Sequence, residues 1–116
     1  MKSFSELTAR LKSLPVDEWR KEAPAYLEFV LSAHHLSGIY PLLGDFFGPP
    51  FKPPGVAPTA EASRRASAYG GIEKQQTLYY LEKDGLSHCA MIWPWRDHTR
   101  ATVKVAQGNL PLLKPA

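Results

Sequence analysis

The residues with most chemistry to offer fall in one stretch, His88-Cys89-Ala90-Met91-Ile92-Trp93-Pro94-Trp95-Arg96-Asp97-His98-Thr99-Arg100. Two tryptophans flank a proline, and arginine, aspartate and histidine follow directly. Trp and Arg join a large contact area to a polar or charged handle, which is why they dominate binding hot spots. The segment therefore reads as a recognition surface, and its candidate ligand- or partner-binding residues are His88, Trp93, Trp95, Arg96, His98 and Arg100. The plainer reading makes Trp93 core, sets Trp95 at the core's edge and leaves 97–99 as a turn.

Catalytic and metal chemistries lack their parts. On a strand His88 and Cys89 point to opposite faces, so they do not form a thiolate–imidazole pair, and Cys89 reads as a small buried hydrophobe. Asp97 and His98 are chain neighbours, whereas a triad needs partners brought together in space. His34 and His35 diverge by about 100° on a helix, and no Cys-x-x-Cys, His-x-x-x-His or calcium loop is present. Gly70-Gly71 runs into Ile72-Glu73 rather than a Lys-Ser pair, so there is no phosphate loop. The expectation is a non-enzymatic protein with no cofactor and no metal. Two alternatives remain: a nucleic-acid interface on a sheet face bearing Arg100, Lys104, Trp95 and Tyr79 or Tyr80, and a small acid–base enzyme with a His and a carboxylate.

These residues need elements to position them. Ser3 and Glu6 form a capping-box pattern ahead of Phe4, Leu7, Leu11 and Leu14, an apolar stripe that predicts a helix stopped by Pro15. A short helical turn is expected over 17–22, with Asp17 as cap and Trp19 turned inward. Pro24 suits a first helical position, and residues 25–36 read as a helix apolar nearly all round, with Gly38 behind it. Residues 41–58 hold six prolines and three glycines around Leu42, Leu43, Phe46, Phe47 and Phe51. That composition predicts an ordered, extended, aromatic-bearing arm rather than helix or disorder. A further short helix is expected over 59–69, capped by Thr59 and ended by Gly70-Gly71.

The rest reads as β. Residues 76–83 and 86–93 flank Asp84-Gly85, and 99–106 alternates Ala101, Val103 and Val105 with Arg100, Thr102 and Lys104. A two-residue turn sets Tyr80 opposite Cys89 and Leu81 opposite His88, whereas a three-residue loop sets Tyr80 opposite His88. Residues 107–116 are expected to be a tail. The fold class is α+β: N-terminal helices (3–37) on one face of a C-terminal three-stranded antiparallel meander (76–106), with the proline-rich arm between.

Composition bounds the class. The 116 residues are 44% apolar and 22% charged, with one cysteine and a formal charge of +3, as expected for one domain, 1–116, from a reducing compartment. Acids and bases balance over 1–58, so the whole +3 lies in 59–116, too little for a default nucleic-acid reading. A polar N-terminus and no long apolar run predict a cytoplasmic protein without membrane attachment. The apolar helix 25–36 and the arm predict a homodimer. The function expected is binding of a protein partner or small ligand through the Trp93–Arg100 segment and the proline-rich arm.

Overall fold

A computed structural model describes residues 3–109. Helix α1 (Phe4–Lys12) starts as its sequence predicts: Ser3 Oγ accepts from the Glu6 N–H at 3.0 Å, and Phe4, Leu7 and Leu11 are buried. It ends at Ser13, before Pro15 is reached.

The next two segments overturn the expected helices. Residues 17–22 and 25–36 supply strands β1 (Glu18–Ala23) and β2 (Tyr26–Ser32), and only Ala33–Leu36 forms a helical turn, α2. Pro24 and Ala25 make a two-residue turn between paired Ala23 and Tyr26. The misreading has a physical cause: a strand covered on both faces is a continuous apolar run and carries no alternation to separate it from a buried helix. Leu27, Phe29 and Leu31 are fully buried on one face, and Val30 on the other is 1% exposed. The apolar surface of this segment, one of the two grounds for expecting a second subunit, is thus interior to this chain, while Phe51 of the arm remains 41% exposed.

Part of the arm is also helical. Helix α3 (Ile39–Phe47) accepts Pro41 at its third position, where the backbone N–H has no helical partner to lose. Gly48, at φ 80°, ends it. The remaining arm folds onto its own chain: Lys52 and the first residues of strand β3 (Thr77–Lys83) form a bridge in which Lys52 and Leu78 exchange two 3.0 Å backbone hydrogen bonds. Lys52 is 3% exposed, and its Nζ donates to the Lys74 and Gln76 carbonyls at 2.5 and 2.6 Å.

Helix α4 (Ala60–Ala66) is capped by Thr59 as expected and passes through a 3-10 turn, Ser67–Tyr69, to left-handed Gly70. Strands β3 and β4 (Leu86–Pro94) join through the two-residue Asp84-Gly85 turn, both residues at positive φ, and Tyr80 faces Cys89. Strand β5 (Arg100–Asn109) runs three residues into the expected tail, and residues 110–116 of that tail lie outside the described residues.

The sheet is therefore five-stranded and antiparallel, ordered β1-β2-β5-β4-β3, rather than a three-stranded meander. The N-terminal hairpin pairs with the last strand, Phe29 opposite Val103, and puts β5 in the centre. Helices cover both faces, not one. On the first, α1 and α3 pack on Leu27, Phe29, Leu31, Val103, Val105, Ala90 and Ile92. On the second, Ala62 and Ala66 of α4 pack with Leu78, Cys89, Met91 and Ala106, leaving the β1-β2-β5 end of that face to other groups. No helix among the described residues is long and apolar enough to cross a membrane.

Candidate functional site

The second sheet face gathers most of the Trp-Pro-Trp segment. Trp93 closes β4 opposite Thr102, and Pro94 ends the strand. The turn beyond is fixed by its own hydrogen bonds: the Trp95 N–H donates to the Arg100 carbonyl at 2.8 Å, and the His98 N–H to the Trp95 carbonyl at 3.0 Å. Asp97 Oδ1 accepts from the Thr99 N–H and hydroxyl, which holds its carboxyl below the usual range. This turn directs Trp95 back over the sheet, where its indole N–H donates to Thr102 Oγ1 at 2.9 Å.

Two guanidiniums attend that indole. The Cζ atoms of Arg100 and Arg20 stand 5.5 and 5.9 Å from the ring centroid, within cation–π range. Each is oriented by a carboxylate that engages its Nε, Asp17 for Arg100 and Glu18 for Arg20, both at 3.1 Å. Arg20 arrives because the β1-β2 register slips between Trp19 and Lys21, making it the extra residue of a bulge. Arg20, Trp95, Arg96 and Asp97 line a shallow concavity of about 470 Å³.

Beside it lies a second aromatic–cation contact. Lys104 Nζ sits 3.7 Å from the Trp93 ring centroid and donates to the Tyr69 carbonyl at 2.8 Å. Burial lowers the Lys104 ammonium's pKa. Tyr69 stacks on Tyr26, whose hydroxyl donates to Glu28 at 2.6 Å; burial, reinforced by that carboxylate, raises the phenol's pKa. Gly70 makes room for Trp93: a Cβ there would lie 2.6 Å from Trp93 Cη2. Further along the face, Arg65 lies over Tyr80 and Phe51, its Cζ 4.1 and 4.9 Å from their centroids.

Of the six residues singled out from sequence, Trp93, Trp95, Arg96 and Arg100 share this surface. His98 is exposed in the turn at φ 62° and contributes to it only its backbone N–H, which donates to the Trp95 carbonyl. His88 is on the opposite face, 3% exposed, packed against Phe4 and Phe46 at 5.4 and 5.3 Å between ring centroids. Arg20, Tyr26 and Tyr69 were missed, and the alternation that puts Arg100 and the half-buried Lys104 on one face of β5 is the sequence signal nearest them.

Cys89 is 4% exposed, and burial pushes its thiol up to about 12. Ser32 Oγ and His35 Nδ1 lie 3.1 Å apart, but Ser32 is the N-cap of α2 and the contact spans one helical turn. Among the described residues, no three of His, Cys, Asp and Glu converge on a metal position. Asp84 lines the same cavity as His88, yet the hydrogen bond that His88 makes is to the Lys83 carbonyl, 3.4 Å from Nε2. Compared with protein families, curated proteins and solved structures, the chain matches none, so its α+β class rests on its own geometry.

Proposed function

We propose that this protein is a non-enzymatic binding module that recognises a protein partner through the surface centred on Trp95. The observation that carries this reading is the indole of Trp95 with both the Arg20 and Arg100 guanidiniums within cation–π range of it. Each arginine is engaged at Nε by a carboxylate while its side chain stays 39–49% exposed, which leaves the guanidinium open to a partner beside the indole. Aromatic and arginine groups set side by side are the usual makings of a binding hot spot. The proline-rich arm contributes at the far end of the same face, where Phe51 is 41% exposed beside Arg65.

The charge balance favours protein over nucleic acid. Arg20 and Arg100 are each matched by a carboxylate, and Arg96 has Asp97 beside it, so the surface has no net positive track for a phosphate backbone. The cations already attending Trp95 and Trp93 also occupy positions that a stacking base would need. The test is capture by the immobilised protein, comparing wild type with Trp95→Ala and Arg96→Ala, alongside titration with an oligonucleotide. A partner retained by wild type and lost by the variants, with the melting temperature lowered by no more than a few degrees, is expected. Retention of the same partner by both variants, or salt-sensitive oligonucleotide binding in its place, overturns the reading.

A further inference from the structure

Arg20 and Arg96 line the shallow concavity beside Trp95, and Arg100 attends the same indole, yet the three arginines are not equivalent. Arg20 and Arg100 give Nε to Glu18 and Asp17, while none of their Nη atoms has a hydrogen-bond partner among the described residues. Arg96 is exposed and has no hydrogen bond, ion pair or ring contact at all among those residues. Its chain neighbour Asp97 does not answer it, because Oδ1 accepts from both the N–H and the hydroxyl of Thr99 and is committed to its own turn.

The chemistry of the open groups selects their complement. A guanidinium presents five N–H donors in a planar fork and no acceptor, and a carboxylate fills that fork with two parallel bonds. A cationic side chain is repelled by Arg20 and Arg96, and a carboxamide brings one acceptor oxygen where a carboxylate brings two. Around the indole, Arg20, Arg96 and Arg100 face Glu18, Asp97 and Asp17. One added negative charge is met by the unpaired Arg96, whereas the second charge of a phosphate monoester has only those carboxylates left to meet. The half-buried Trp95 ring supplies apolar area directly beside the fork. We propose, resting on the recognition surface described above, that the segment of partner bound at Trp95 is acidic. An aspartate or glutamate carboxylate takes the Arg96 fork and the open Nη edge of Arg20, and a flanking apolar side chain lies against the indole.

The test titrates the isotope-labelled full chain with acetyl-Gly-Leu-Glu-Leu-Gly-amide and with its glutamine and phosphoserine analogues, while NMR follows the Trp95 indole N–H and the Arg96 Nε–H. Saturable movement of both resonances with the glutamate peptide is expected, with the glutamine peptide bound at least tenfold more weakly. Arg96→Gln, a change at an exposed side chain, should erase that difference. Equal affinity for the glutamate and glutamine peptides, tighter binding of the phosphoserine peptide, a glutamate preference that survives Arg96→Gln, or no response to any peptide overturns the proposal. If partner capture is nevertheless lost in Trp95→Ala, only the acidic preference has failed; if capture is indifferent to Trp95→Ala, the recognition surface has failed with it.

Discussion

His88 and Trp93 stand five residues apart on one strand, project from opposite faces of the sheet, and each buries a ring nitrogen that has no hydrogen-bond partner among the described residues. Strand β4 therefore serves two surfaces. Trp93 belongs to the aromatic and cationic face proposed to meet a partner, and His88 to the cavity under α1. The two can be tested separately because the packed sheet lies between them.

On the face proposed to meet a partner, loss of the half-buried Trp95 is expected to cost recognition more than stability. Trp95→Ala removes the indole from both guanidiniums and one hydrogen bond to Thr102, an exposed-edge loss of about 1 kcal/mol. Thermal unfolding should shift by only a few degrees, whereas partner capture should disappear. Trp95→Phe, which keeps a ring for Arg20 and Arg100, should retain part of the binding.

Gly70 is a sharper structural requirement. Its φ of 109° and the 2.6 Å approach of Trp93 Cη2 both exclude a side chain. Gly70→Ala should destabilise the fold by about 1–3 kcal/mol, read as a lowered urea midpoint. Pairing it with Trp93→Leu should recover the part due to the clash and leave the part due to backbone conformation.

His88 makes stability fall in acid. The fold holds its imidazole neutral, chiefly by burial, with a pKa below the ordinary 6.5; Phe4, Phe46, Lys83 and Asp84 face it or lie beside it. The unfolded chain therefore takes up the proton first as pH drops. The stability linked to this group is fully present above the ordinary value, declines as pH falls through it, and levels off beneath the lowered native value. Urea midpoints measured across that window should slope for wild type and flatten for His88→Phe.

Cys89 should be inert in the native state. With the thiol buried and its pKa pushed up to about 12, alkylation needs an opening of the sheet beneath α4. Labelling should be slow in buffer and accelerate with urea in step with unfolding. Fast labelling that urea does not alter would contradict the packing described for that face.

What could be read from the sequence divides along physical lines. The caps at Ser3 and Thr59 and the Asp84-Gly85 turn are local signals, and each is realised, whereas the alternation in β5 marks the strand but not a wet face, since Thr102 and Ala106 are buried as well. Residues 25–36 were misread because Leu27, Phe29, Val30 and Leu31 are apolar on both faces, and periodicity has nothing to say about such a strand. Pro41 misled for the opposite reason: a breaker in general, it is harmless in a first helical turn. Trp95 and Arg100 were visible as candidates because they share one segment. Arg20 was not, since a bulge in β1 and the pairing of β2 with β5 bring it to Trp95 across the chain.

The central claim is that the Trp95 surface is a protein-recognition site, and one comparison tests it most directly. Wild type and the Arg20→Ala/Arg100→Ala double variant, matched for melting temperature, are immobilised and their retained proteins quantified, with an oligonucleotide titrated in parallel. The account predicts a defined partner held by wild type, at least tenfold depleted on the variant, and no oligonucleotide binding by either. Equal retention by both proteins, or an oligonucleotide held by wild type and released by salt, would contradict it.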